Sequence, residues 1–372
     1  MLTRQLEFVH LVQLAQTLHG ESHATLHDDA TDRPFARHGL FHLIRPMLTS
    51  IPLIDLAGNL DPTQPVARDA AARLHDALST IGFAYIGGHT VRRSTRDAAF
   101  AASRDFHASP LERKQSLAIN AAHRGYMGMA TSTIVTSSVA KVTKPNMSES
   151  LMLMHELPPD DPGLLAGLPM QGPNQWPDWL PGFRSAMTQY VSEVDALGRY
   201  IVRLIAMSLG LEATALDHYF DHPTTFLRAL HYPPQPPVDD DQMGSAPHTD
   251  YGIITLLAQD DSGGLQVRPR GGDWIEAPPI PDTYVLNVGD MLARWTNDRF
   301  VSTPHRVINR SGGDRYSLPY FLDPSMDALI ECLPTCTDAK HPPRHEPVTY
   351  GQYLMERLDK NYAYRKAPAT TV

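Results

Sequence analysis

The chain has 372 residues, 42% hydrophobic and 20% charged, enough apolar content to fill one elaborated domain or two tightly packed ones. Its formal charge of −9 argues against a nucleic-acid or anionic-membrane partner, each of which wants a basic face. No apolar run approaches a membrane span, no secretory leader pattern is present, and the two cysteines, Cys332 and Cys336, read as unbridged thiols of a reducing, cytoplasmic setting.

The elements fall in five stretches. In 1–49, Leu2, Leu6, Val9 and Leu14 share one face of a short helix, but 23–37 is polar, rich in His and Asp, and without period. A flexible extension is expected there, and its acidic residues speak against a mitochondrial transit peptide. Residues 50–120 read as an α/β region: a strand from Ile51 to Leu56, a helix from Pro65 to Thr80 stopped by Gly82, a strand from Phe83 to Ile86, then helices over 92–107 and 111–118. Ser109 and Pro110 stand where a cap and first turn belong. This region is expected to lend edge strands to a larger sheet and not to fold alone.

Residues 121–224 are a loop and helical region. The irregular part, 122–181, contains Arg124, Asn146, Glu149 and Trp176, and is the expected place for substrate-selecting loops, because binding residues concentrate on loops held by a rigid scaffold. Tyr126, Met127, Met129, Met152 and Met154 read either as pocket lining or as plain core. The longest helical pattern follows, Gly182 to Leu209, with Met187, Tyr190, Val194, Leu197, Ile201 and Ile205 on one face, then a short helix over 212–219.

Residues 225–345 alternate short apolar runs with turn clusters. Thr225 to Tyr232, Ile253 to Ala258, Gly264 to Val267, Trp274 to Ala277 and Thr283 to Val288 read as strands, separated by turns such as Asp260-Asp261-Ser262-Gly263 and Arg270-Gly271-Gly272-Asp273. The predicted fold class is mixed α/β with a mainly β core, a double-stranded β-helix (jelly-roll) barrel with flanking helices. A C-terminal helix, Tyr350 to Tyr362, and a tail complete 346–372; the pattern leaves open whether that helix lids the barrel or packs outside it.

The chemistry is concentrated in Pro247-His248-Thr249-Asp250-Tyr251-Gly252, Thr303-Pro304-His305-Arg306-Val307 and Arg315-Tyr316-Ser317. On a strand, residues two apart project to the same side, so His248 and Asp250 can clamp one ion while His305 arrives from another strand. Two His and one carboxylate occupy one face of a six-coordinate metal and leave the other open, which suits non-haem Fe(II). Neither motif is specific alone: His27-Asp28-Asp29 and Arg92-Arg93-Ser94 match the same patterns without the strand context. Arg315 offers a fork that matches a carboxylate, with the Ser317 hydroxyl two residues on along the same face.

With Tyr232-Pro233-Pro234, Gly263-Gly264-Leu265-Gln266-Val267 and Asn287-Val288-Gly289-Asp290 added, the series resembles the isopenicillin N synthase-like family of Fe(II)- and 2-oxoglutarate-dependent oxygenases. Ile51-Pro52-Leu53-Ile54-Asp55-Leu56 and Gly82-Phe83-Ala84-Tyr85-Ile86 resemble that family's N-terminal part, so the likeness spans about 50–360. The resemblance implies that His248, Asp250 and His305 are metal ligands and that Arg315 and Ser317 anchor the distal carboxylate of 2-oxoglutarate. It offers Tyr232 for the other end of that co-substrate, although the family often has Asn two residues earlier, where this chain has Leu230.

The implied activity is that of a non-haem Fe(II), 2-oxoglutarate-dependent dioxygenase. It hydroxylates or desaturates a small-molecule metabolite with O2, releasing succinate and CO2. Because Asp250 supplies a ligand, no coordination position is freed for a halide. Alternatives are an oxidase of the same fold that takes no 2-oxoglutarate, a catalytically silent small-molecule binding module, and a zinc hydrolase. The last lacks a helix-borne zinc motif and a positioned base.

Overall fold

The computed structural model describes residues 50–134, 137, 139–235, 242–362 and 365. The expected N-terminal extension and the end of the tail lie outside the described residues.

The chain enters through strand β1 (Leu53–Asp55), crosses over helix α1 (Pro65–Thr80) and returns as β2 (Phe83–Gly87), parallel to β1. Pro65 starts α1 because a missing N–H costs nothing in the first turn. Gly82 ends it with φ +72°, and a Cβ there would stand 2.0 Å from the Val301 carbonyl oxygen, so only glycine fits. Helices α2 (Arg93–His107) and α3 (Leu111–Gln115) follow. Ser109 does not cap α3 as expected; its hydroxyl donates to the Asp105 carbonyl, and Pro110 takes the capping position without a side-chain bond.

The stretch read as irregular holds two strands, β3 (Gly125–Met127) and β4 (Glu149–Met154), and one helical turn, α4 (Pro162–Leu165). Both strands are buried on both faces, so neither shows the alternation that a half-buried strand prints on its sequence. Helix α5 (Phe183–Ser208) matches its pattern, while the short helix expected next is a 3-10 turn at Asp217–Phe220.

The barrel strands are β5 (Thr224–Tyr232), β6 (Ser245–His248), β7 (Ile254–Gln259), β8 (Leu265–Val267), β9 (Ile275–Glu276), β10 (Tyr284–Val288), β11 (His305–Val307) and β12 (Arg315–Asp323). A further helix, α6 (Asp290–Trp295), lies between β10 and β11, where no helical pattern was expected; six residues are too few to print a period. The small pair β13 (Leu329–Ile330) and β14 (Val348–Thr349) leads into α7 (Tyr350–Asn361), whose first turn Thr349 caps.

The eight-stranded sheet runs β1-β2-β10-β7-β12-β5-β4-β3, and the four-stranded sheet runs β6-β11-β8-β9. Apart from β1 and β2, the pairings between named strands are antiparallel, the jelly-roll arrangement. Alternation decides what each strand shows to which layer. On β2, Phe83 and Tyr85 join an inner cluster with Leu230, Tyr232, Leu265, Val267 and Val307, whereas Ala84 and Ile86 join the outer core. That outer core is the sheet's other face under α1 and α5, and Gly198 lets α5 come close to Leu322, where a Cβ would stand 3.0 Å away. The inner space between the sheets is where the candidate site lies.

Candidate active site

β6 and β11 are antiparallel neighbours with His248 opposite His305, and Asp250 follows two residues after the end of β6. The imidazole centroids are 4.3 Å apart. Each Nε2 lies 3.7 Å from Asp250 Oδ1, and one ligand atom from each of the three residues falls within 4.8 Å of the others. One cation can therefore touch all three without movement of the backbone.

The surroundings fix which atoms face the shared point. His248 Nδ1 is 2.8 Å from the Ala246 carbonyl and His305 Nδ1 is 3.3 Å from that of Thr303, so each Nδ1–H donates backward and each Nε2 keeps its lone pair for the centre. Asp250 Oδ2 accepts from Thr255 Oγ1 at 2.5 Å and Asn287 Nδ2 at 2.7 Å, leaving Oδ1 to the imidazoles. Burial, then the neighbouring His305, pushes His248 down to about 4, so it is neutral at pH 7. Burial alone would raise the Asp250 carboxyl, but the two imidazoles and the bonds from Thr255 and Asn287 bring it below its ordinary value. A neutral imidazole at His248 and an ionised carboxylate at Asp250 are protonation states that metal ligation requires.

A second group of predicted residues lines the same inner space. Arg315 stands opposite Tyr232 and Ser317 opposite Leu230 across β12 and β5. The Arg315 guanidinium, fully buried, donates from Nε to the Gly263 carbonyl at 2.6 Å and lies 4.8 Å over the Tyr232 ring. Among the described residues, its Nη1 and the Ser317 Oγ are buried with no partner. Two orphaned donors on one strand face, lining one cavity with His248, Asp250 and His305, fit the far carboxylate of a dicarboxylate bound at the metal point. Tyr232 lines that cavity too, its ring set beneath the guanidinium.

A neighbouring cavity shares His248 and Asp250 with the first. Met152, Phe226 and Phe321 supply apolar wall, and Tyr350, Leu354 and Leu358 of α7 close one side. The C-terminal helix is thus part of the wall, a point its sequence left open. Asn361 on α7 donates to the hydroxyl of Tyr251, the residue after Asp250. Of the aromatic and Met group in 122–181, Met152 lines this cavity, while Tyr126, Met127 and Met154 are buried.

In the sequence Thr255 stood out only as part of a strand and Asn287 only as part of a motif. Their role shows in alternation: both project inward from β7 and β10, between residues that face the outer core. Asn146, named in the expected substrate-selecting stretch, lines both cavities; Arg228, which also lines both, was missed.

Known proteins resemble this chain over most of its length. The profile of the 2OG-Fe(II) oxygenase superfamily matches residues 223–324, and that of the non-haem dioxygenase in morphine synthesis N-terminal region matches 51–179. A 2-oxoglutarate-Fe(II) type oxidoreductase of Emericella nidulans is 32% identical over 331 residues, covering 86% of this chain and 93% of that protein. A full-length Neurospora crassa protein crystallised with alpha-KG and thymine superposes with a TM-score of 0.73 at 33% identity, covering 83% of this chain and 96% of that one. A 2OG-Fe(II) oxygenase family protein of Caulobacter crescentus gives a TM-score of 0.73 at 30% identity, covering 84% and 99%. The chain belongs to the 2OG-Fe(II) oxygenase superfamily. It is a non-haem dioxygenase whose co-substrates are 2-oxoglutarate and O2. Among the described residues, no helix is long and apolar enough to cross a membrane.

Proposed function

We propose that His248, Asp250 and His305 hold Fe(II), that Arg315 and Ser317 grip the far carboxylate of 2-oxoglutarate, and that the enzyme hydroxylates or desaturates a metabolite in the cavity walled by α7. The observation that carries this reading is the pair of orphaned donors, Arg315 Nη1 and Ser317 Oγ, in the same cavity as the three converging ligand atoms. When bound, the iron couples oxidative decarboxylation of 2-oxoglutarate by O2 to oxidation of a substrate C–H bond.

The chain's own part is positioning. Asp250 presents one oxygen because Thr255 and Asn287 occupy the other, and the backbone carbonyls of Ala246 and Thr303 set both imidazole tautomers. Arg315 is held from behind by Gly263 and from one face by Tyr232, so its free edge meets the co-substrate already oriented, and little ordering is left for binding to supply. Tyr232 supports the clamp by stacking, in addition to lining the co-substrate's cavity. Phe226, Phe321 and Leu354 exclude water from the substrate side, which favours coupling to substrate over wasted turnover.

We divide the chain functionally into an N-terminal extension (1–49), an α/β region (50–120), substrate loops with the α5 helix (121–224), the barrel core (225–345) and the closing helix and tail (346–372). We place the enzyme in the cytoplasm, a setting supported by the unbridged Cys332 and Cys336. The test is stoichiometry: with Fe(II), 2-oxoglutarate and a cell extract as substrate source, succinate forms in proportion to each metabolite lost. Metabolite oxidation that proceeds without 2-oxoglutarate, and yields no succinate, would return the oxidase alternative.

A further inference from the structure

Along β5, the inward positions are Phe226, Arg228, Leu230 and Tyr232. Phe226 lines the substrate cavity, Leu230 and Tyr232 line the co-substrate cavity, and Arg228 lines both. The one cation on this face therefore stands at the junction, beside His248 and Asp250. Its Nε donates to Ser150 Oγ at 2.9 Å across to β4, which fixes the guanidinium plane.

Among the described residues, no carboxylate pairs with Arg228. The acids in the same wall are engaged elsewhere. Asp250 faces the imidazoles and accepts from Thr255 and Asn287, and Asp323 accepts from the Ile253 N–H and the Tyr350 hydroxyl. Nor does His123, on the same cavity wall, add a second positive charge. Burial, with Arg228 and two further arginines nearby, pushes it down to about 3. A half-buried guanidinium without a counter-charge costs free energy unless a ligand supplies one; the rest of the lining carries uncharged polar groups such as Ser132, Thr133 and Asn146, and an apolar stretch of Met152, Phe226, Phe321 and Leu354.

We propose that Arg228 is the specificity-determining residue of the substrate cavity, and that the primary substrate is an amphipathic acid whose carboxylate seats on Arg228 while its apolar body lies among Met152, Phe226, Phe321 and Leu354. This rests on the reading above, that the neighbouring cavity holds iron and 2-oxoglutarate. A carboxylate at Arg228 has two possible sources, the substrate or the iron-side end of 2-oxoglutarate. Arg228 lines both cavities; the apolar wall of Met152, Phe226, Phe321 and Leu354 beside it favours the substrate, and titration with 2-oxoglutarate decides between the two.

The experiment uses full-length protein loaded with Mn(II) and 2-oxoglutarate, titrated calorimetrically with octanoate and with octanamide as probes. The same protein loaded with Mn(II) alone is titrated with 2-oxoglutarate. The expected result is saturable binding of octanoate at least about tenfold tighter than octanamide, since a bond to a charged partner outweighs a neutral one. Arg228→Met should erase that preference and Arg228→Lys should keep part of it, while 2-oxoglutarate affinity changes less than about threefold in either. Equal affinity for acid and amide, no binding of either, or a loss confined to 2-oxoglutarate in Arg228→Met would overturn the proposal. The 2-oxoglutarate titration also separates the two readings: if wild-type protein fails to bind it, the co-substrate site is wrong, whatever octanoate does.

Discussion

Replacing Lys114 by Met tests how the scaffold holds the strands that carry the site. Lys114 and Glu149 are 6% and 5% exposed, and their Nζ and Oε2 lie 2.8 Å apart. The same ammonium donates to the His107 carbonyl at 2.9 Å, the Tyr126 hydroxyl donates to Glu149, and His231 Nδ1 lies 2.8 Å from the carboxylate's second oxygen. Burial alone would raise Glu149, but the bonds from His231, Lys114 and Tyr126 hold it down at about 2. Methionine fills similar space and removes the cation, leaving a buried carboxylate short of a donor, which costs about 3–5 kcal/mol. At roughly 2 °C per kcal/mol for a domain this large, the melting temperature should fall by about 6–10 °C. Scanning fluorimetry at pH 7 reads it directly. Adding Glu149→Gln to the Lys114→Met protein should recover about 1 kcal/mol or more, because the two residues share one network. A Lys114→Met protein that melts within about 2 °C of wild type would refute the argument that this ion pair is desolvated and structurally required.

Two further outcomes concern His231 of the same network and Arg315 of the cavity beside the three converging ligands. His231 bridges Glu149 and Asp314, whose oxygen lies 2.9 Å from Nε2; burial would lower it, yet both carboxylates raise it above the ordinary value. Its contribution to stability is therefore complete below about pH 6.5 and is lost as pH rises through the raised folded value. His231→Gln should flatten the decline in melting temperature above pH 6.5, and an unchanged slope would exclude His231 as its source. Arg315→Met removes a guanidinium with a free edge in the co-substrate cavity, so KM for 2-oxoglutarate should rise about 100-fold, the equivalent of about 3 kcal/mol from paired charged bonds. A KM within about threefold of wild type would show that the carboxylate seats elsewhere.

That His248, Asp250 and His305 converge was legible because a two-residue step at a strand end brings the first two together, and because the turn clusters before and after each apolar run mark where the chain doubles back. The same rule located Arg315 and Ser317 on one face of β12. It failed on β3 and β4, which are buried on both sides and so carry no alternating stripe. With β4 unread, Ser150 and Met152 had no assigned face, and Arg228, which stands opposite Met152, had no visible neighbour. Arg228 reads in the sequence as one more charged residue in a strand; only pairing shows that it faces two cavities. The contacts of α7 are long-range in the same sense, since whether Tyr350 and Leu354 face a cavity or a surface depends on Asp323 and Tyr251, distant in the chain.

The most direct test of the whole account is an anaerobic calorimetric titration of Fe(II) into metal-free wild-type protein and into Asp250→Asn. The geometry predicts about one iron per chain for wild type and a loss of affinity of at least about tenfold for the variant, whose side chain keeps its shape and surrenders its charge. Equal iron binding by both proteins would contradict the assignment of His248, Asp250 and His305 as the metal face.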